Sequence, residues 1–400
     1  MAADAALQRR ALASLALVAC VLPLCTDSLS PVLPRIATDL EVAPAAVKLL
    51  ISAFTLGFGL AHLFVGSLLD RFGRRPVLVA AMLLVAITAS TGATAQDLPT
   101  IVGARFLQGL AAAAAPIAMR AIVRDLFPPE QAIGALTRLG LGIAATAMGA
   151  PFLGIAIGTR WGWPANFWLL AALAAIIAAF VAARLPETLA RPDPLALSPA
   201  ATLAAVRRAL AEPRFRGNAL AAACGYGGIL TVLTSSAFMA PRLLPGVSTA
   251  AAWLVSCGGF GDLLGTLAGL LLRARGVAAN TATLGAALAS LAAALAAAGH
   301  GLLGLPAGPL YLGALVAFGA GWGLIQPWAQ THALAGNERD AGRVSALYGA
   351  TQIALASLAV MLLGPWLREP LDLFVAWSAS AAAAGLAAHR AHSTPPSGTT

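Results

Sequence analysis

The stretch Gly66-Ser67-Leu68-Leu69-Asp70-Arg71-Phe72-Gly73-Arg74-Arg75-Pro76 sets one acidic and three basic residues between two apolar runs, 46–68 and 76–95. Each run is about 20 residues, the length that an α-helix needs to cross the hydrocarbon core of a bilayer. Gly66 lets helices approach closely and Gly73 permits a tight turn. The stretch therefore reads as span, charged turn, span. Applying the same length criterion outward along the chain predicts twelve spans: 11–33, 46–68, 76–95, 99–123, 134–157, 165–184, 215–240, 248–272, 280–299, 308–331, 342–364 and 371–389. Helices are the expected spanning elements, because lipid offers no partner for an open backbone group.

Composition agrees. The 400 residues are 59% hydrophobic and 10% charged, where a soluble domain carries about 25% charged residues. That excludes a water-soluble enzyme, a disordered chain, a coiled coil and a disulfide scaffold. Cys20, Cys25, Cys224 and Cys257 all lie in apolar stretches and read as small apolar filler. With the N-terminus placed inside, 19 of the 25 basic residues fall in inner segments. Five fall outside (Arg35, Lys48, Arg160, Arg242 and Arg368), and Arg105 lies within a span. This bias predicts both termini in the cytoplasm, in a multi-pass protein of the cell (inner) membrane. The net charge of +9 then reflects topology rather than a nucleic-acid partner. Leu17-Val18-Ala19-Cys20 resembles a lipoprotein cleavage box, but the apolar run continues past it and reads as a first span.

The longest polar stretch, about Pro186 to Arg216, carries Pro192, Pro194, Pro199 and Pro213 and divides the spans six and six. The expected organisation is a six-helix half at 1–190, a cytoplasmic linker at 191–213 and a second six-helix half at 214–400. Residues 200–211 form a candidate amphipathic helix, with Arg207 and Arg208 facing lipid phosphates. Gly66-Ser67-Leu68-Leu69-Asp70-Arg71-Phe72-Gly73 and Gly269-Leu270-Leu271-Leu272-Arg273-Ala274-Arg275-Gly276 share a pattern at an offset of 203, as a duplicated half requires.

The Gly66–Pro76 stretch resembles the loop 2–3 signature of the major facilitator superfamily. Span 4 (Ile101, Arg105, Gln108, Gly109, Ala111, Ala112) resembles the motif of its proton-coupled members. Gly149-Ala150-Pro151-Phe152-Leu153-Gly154 resembles the span 5 motif of its drug exporters, a helix-bend element. With Thr26-Asp27-Ser28-Leu29-Ser30-Pro31-Val32-Leu33-Pro34, the Arg120–Phe127 stretch and Leu185-Pro186-Glu187-Thr188, the chain resembles the bicyclomycin-resistance (Bcr/CflA) drug:proton antiporters, densely over 20–190 and thinly over 214–400. It departs from them at His62, where members usually carry Gln, and at Asp262. The resemblance implies the major facilitator fold, an Arg74–Asp125 contact, and a cytoplasmic gate of Gly66, Asp70, Gly73, Arg74 and Asp125.

An ionisable group at mid-membrane costs about 2.5–3.5 kcal/mol on insertion scales and is a functional candidate by default. Asp27, His62, Arg105 and Asp262 qualify. At 1.5 Å per residue, Asp27 and Arg105 both lie roughly 9 Å below the outer boundary, so they can pair directly or through water. His62 lies roughly 24 Å down span 2 and Asp262 roughly 21 Å down span 8. A carboxylate held between a low-dielectric setting and a guanidinium can release its proton to a competing substrate. Cavity candidates are Tyr226, Ser235, Ser236, Trp253, Trp322, Gln326, Trp328, Gln330, Tyr348 and Gln352. Gln326-Pro327-Trp328 points to an irregular helix.

The expected function is proton-coupled efflux of small apolar or cationic compounds by alternating access. The alternative is a proton-coupled importer of a specific metabolite on the same fold. The reading implies no enzymatic activity, no metal and no cofactor, with the proton gradient as energy source. The expected partners are a small-molecule substrate and the lipid bilayer, with the monomer as the functional unit. No G-x-x-x-x-G-K-[ST] loop occurs, which disfavours ATP as the drive.

Overall fold

The computed structural model of the chain describes residues 2–193, 198–277, 307–334 and 341–366, with scattered single positions between 287 and 383. Among the described residues all regular structure is helical, and ten helical segments are long and apolar enough to cross a membrane. They coincide with the first eight runs read from the sequence and with the runs 308–331 and 342–364. The runs 280–299 and 371–389, and with them the count of twelve, lie outside the described residues.

The chain forms two compact units. One comprises Met1–Ala43 and Leu49–Pro199, the other Pro44–Lys48 and Ala200–Thr400. In the first unit, α1 (Ala2–Ala19), α2 (Val21–Thr26) and α3 (Leu33–Asp39) are three pieces of one interrupted span. There follow α5 (Leu49–Phe72), α6 (Arg74–Thr94), α7 (Leu98–Ala112), α8 (Ala114–Leu126), α9 (Pro129–Trp161) and α10 (Pro164–Arg184). The second unit holds the single turn α4 (Pro44–Val47), the linker helix α11 (Pro199–Ala211), and α12 (Pro213–Leu243), α13 (Ala250–Ala274), α14 (Ala307–Leu334) and α15 (Ala341–Leu363).

Prolines decide where the first-unit spans break. A proline offers no N–H to the carbonyl four residues earlier, and its ring pushes that carbonyl away. Pro23 acts on Ala19, where α1 ends. Pro31 acts on Asp27, just past the end of α2, and Pro116 acts on Ala112, the last residue of α7. The three residues after Thr26 form turns, followed by a 3-10 turn at Ser30–Val32. In α14 the expected irregularity at Pro327 is absent, and the α-helix runs through it. The carbonyl that Pro327 frees belongs to Gly323, and the Thr266 hydroxyl of α13 donates to it at 3.4 Å. A neighbouring hydroxyl is one of the few partners that a membrane interior supplies. Where the chain leaves the membrane, ordinary caps suffice. Asp97 precedes α7 and accepts from the Thr100 N–H at 2.8 Å and from its hydroxyl at 2.9 Å. These bonds hold its carboxyl below the usual carboxylate range.

Glycines decide where spans cross. A Cβ on Gly57 of α5 would overlap the Phe106 carbonyl of α7, and one on Gly109 of α7 would overlap the Phe54 carbonyl of α5. The α13–α14 crossing repeats the arrangement: Gly261 and Gly265 face the backbone of Val316 and Ala320, while Gly319 and Gly323 face Gly258 and Asp262. Gly57 and Gly261 thus occupy matching places close to the 203-residue offset. The span 5 motif divides unevenly. Gly154 packs its backbone onto the Ser28 carbonyl, whereas Gly149 has nothing within 4 Å of a built Cβ.

Overpacking a tight site costs about 1–3 kcal/mol. Gly109→Ala and Gly154→Ala are expected to lower thermal stability in detergent by that amount. Gly103→Ala and Gly149→Ala, with open space around the new methyl, should stay within about 0.5 kcal/mol.

Candidate functional site

Asp27 occupies the break that Pro31 makes in the first span. Its backbone N–H closes α2 by donating to the Pro23 carbonyl at 2.7 Å. The side chain is half-buried, and its Oδ1 accepts from the Thr26 hydroxyl at 2.7 Å. Thr26 and Ser28 flank it, each also donating to a carbonyl of the preceding turn. Gly154 brings α9 against the next residue along, so the span 5 motif abuts the carboxylate's own turn.

Arg105 is buried to 1% exposure at the α5–α7 crossing. Its Nε donates to the Leu50 carbonyl at 3.1 Å, its Nη1 donates to Gln108 Oε1, and its guanidinium lies 4.3 Å from the centroid of the Phe54 ring. A cation over an aromatic face is stabilised by the ring quadrupole. No direct ion pair joins Asp27 and Arg105. Each is held by partners on its own side, and Cys25 lies within Coulomb range of both. Arg105 Nη2 and Gln108 Nε2 remain buried donors without a hydrogen-bond partner. Lone donors of this kind are costly in an apolar interior.

His62 forms a local contact. Its Nδ1 lies 2.8 Å from the Phe58 carbonyl one turn back, and its ring meets that of Phe58 edge-on at 5.0 Å. In the second unit, Asp262 lies on α13 at the α14 crossing, with its Oδ1 2.7 Å from where a Gly323 Cβ would stand. Only a glycine at 323 leaves room for that carboxylate.

Most of the cavity candidates are buried. Trp322 and Tyr348 belong to a cluster with Phe215, Ala219, Val344 and Leu347, and the Trp322 ring fills the notch over Gly225. Ser235 and Ser236 are fully buried, and Trp328 and Gln352 are nearly so. Tyr226, Gln326 and Gln330 keep partial exposure, with Gln326 Nε2 donating to Gln330 Oε1 at 3.4 Å, while Trp253 stands half exposed.

The Gly66–Pro76 turn is a charge cluster. Arg74 is 4% exposed; it donates to Asp70 at 2.5 Å through Nη1 and to Asp125 at 3.2 Å through Nε. The second bond is the contact that the family resemblance implies. Gly73 adopts φ 100°, open to glycine at little cost, and starts α6 without a capping side chain of its own. Glu187 supplies the cap from the chain beyond α10. Its carboxylate accepts from the backbone N–H of Arg74 at 2.9 Å and of Arg75 at 3.1 Å. Its own neighbours Thr188 and Leu189 also donate to it, and the Thr188 hydroxyl reaches Asp125 at 3.1 Å. The Leu185–Thr188 stretch carries the family resemblance, and its capping role emerges only in the structure. The available signal was a helix start with a glycine at its cap and two orphan donors needing an acceptor.

Lys48, the chain's single lysine, also escaped notice, as one more outer charge. It is 7% exposed. Its Nζ donates to the Gly364 carbonyl at 3.1 Å and lies 5.8 Å from the centroid of the Phe238 ring. Both contacts are internal to the second unit, into which Pro44–Lys48 packs.

Comparison with known proteins bears on the fold and the family. The family model described as Major Facilitator Superfamily matches residues 15–387. Multidrug resistance protein D of Escherichia coli is 31% identical over 158 residues, 40% of each chain. The bicyclomycin resistance protein homolog of Haemophilus influenzae is 30% identical over 166 residues, 42% of each chain. The match thus spans about two-fifths of the length of these relatives. Among solved structures, a D-xylose–proton symporter superposes with a TM-score of 0.75 at 18% identity over 98% of both chains, a likeness of fold. With a family match over nearly its whole length and ten spanning helices among the described residues, this multi-pass protein of the cell membrane belongs to the major facilitator superfamily.

Proposed function

We propose that the chain is a proton-coupled exporter of small, largely apolar or cationic compounds, working as a monomer by alternating access and carrying out no enzymatic chemistry. The observation that carries this reading is Asp27: a half-buried carboxylate at a proline-made break in a span, bonded to one hydroxyl and to no fixed cation. Such a group is free to take up a proton or to bind a cationic substrate. The two events exclude each other, because a neutral carboxyl attracts a cation far less than a carboxylate does. Protonation from the outer side then expels substrate, and substrate arriving from the inner side expels the proton. Arg105 and Gln108, with one unpartnered donor each, offer an acceptor-bearing substrate or a bridging water a place to bind. Asp262, on α13, is a second carboxylate within a span. The multidrug and bicyclomycin-resistance names of the relatives support export over the metabolite-import alternative.

The Arg74 cluster is the gate of this reading. Bonds between ionised partners are about twice as strong as neutral ones. A latch made of them holds one state firmly and releases as a unit. Its role is in the switching rate, away from the substrate.

Two measurements test these assignments. In vesicles with an imposed pH gradient, adding a transported drug should release protons from the wild type, and Asp27→Asn should cut that coupled flux by about tenfold or more. Drug uptake driven in the same direction as proton entry would overturn the exporter reading. Arg74→Ala should leave drug binding within about twofold and slow turnover by about tenfold, the effect of removing about 1.4 kcal/mol from one state. Loss of binding in a folded Arg74→Ala protein would show that the cluster acts at the substrate site.

A further inference from the structure

The linker helix α11 has two faces of different character. Ala205 and Ala209 are buried, with Ala209 and Val206 packed against Phe215, Ala219, Val344 and Leu347 of the second unit. On the opposite side, Leu203, Arg207 and Leu210 stand at spacings of four and three residues, which places them on one stripe. Leu203 is 58% and Leu210 44% exposed, and Arg207 is exposed between them. A single residue, Glu212, separates α11 from α12, which begins a membrane-spanning segment at Pro213. The end of α11 therefore lies at the depth where the chain enters the bilayer. From Pro199 to Arg216 the sequence carries Arg207, Arg208, Arg214 and Arg216 against Glu212 alone.

We propose that this stripe docks onto anionic phospholipid of the inner leaflet, with Leu203 and Leu210 seated among the upper acyl segments and Arg207 at the headgroup phosphate. A basic stripe flanked by apolar side chains suits that surface and no other part of the bilayer, because its charge belongs at the headgroups and its leucines just beneath them. The inner-leaflet assignment rests on the inward bias of the arginines. It does not depend on what the protein transports. The bound lipid ties the linker, and through Phe215 and Val344 the second unit, to the charge of the leaflet.

Photo-crosslinking in vesicles tests the docking directly. A benzophenone side chain introduced at Leu203 or Leu210 of the full chain should form phospholipid adducts in membranes that contain phosphatidylglycerol. Adducts to residues 1–193 of the chain, or none, would overturn the proposal. Titration of the purified protein with phosphatidylglycerol, read by native mass spectrometry against phosphatidylcholine, tests the charge. Arg207→Gln should weaken phosphatidylglycerol binding by about fivefold, the contribution of one surface arginine, and Arg207→Lys should restore it. Equal binding by wild type and Arg207→Gln would remove the electrostatic basis of the site.

Discussion

A proline in a spanning helix takes away one backbone donor and strands a carbonyl in a medium that has nothing else to offer it. Much of the architecture follows from how each stranded carbonyl is handled. At Gly323 the helix survives, because Thr266 reaches across from the next span and replaces the lost partner. At Ala112 the helix breaks and restarts. At Asp27 the chain gives up regular structure for a few residues and turns around the break with hydroxyls at Thr26 and Ser28. The break and the carboxylate coincide, and an ionisable group is most tolerable where the backbone is already irregular and polar atoms are gathered.

Close helix approach is the second constraint. Gly57 with Gly109, and Gly261 and Gly265 with Gly319 and Gly323, let backbones touch where any side chain would hold them apart. The crossings also place the charged groups. Arg105 sits one turn from Gly109 and reaches the Leu50 carbonyl because α5 is so near. Asp262 has space at its crossing only because residue 323 lacks a Cβ. In both units an ionisable side chain therefore sits beside a close contact between two spans.

Span positions, the charged turn and the membrane class were legible in the sequence, because each depends on quantities that run along the chain: length, hydropathy and the order of charges. The rotation of each helix about its axis was not. Asp27 faces its own hydroxyls, and Arg105 the ring of Phe54. Trp322 and Tyr348 turn into the core of their unit. Glu187 was hidden for another reason: its partners lie more than a hundred residues away, and a cap borrowed from such a distance leaves no local pattern.

Lys48 carries a consequence for how the chain divides. The chain leaves the first unit after Ala43, lays five residues into the second, and returns at Leu49. Its one lysine is the residue that anchors there, its amine donating to the Gly364 carbonyl. Severing the polypeptide at the linker would therefore yield fragments that do not match the folded units. The carboxyl-terminal fragment would lack a piece of its own packing, and the amino-terminal fragment would carry that piece unburied. Each fragment would hold something that the other needs.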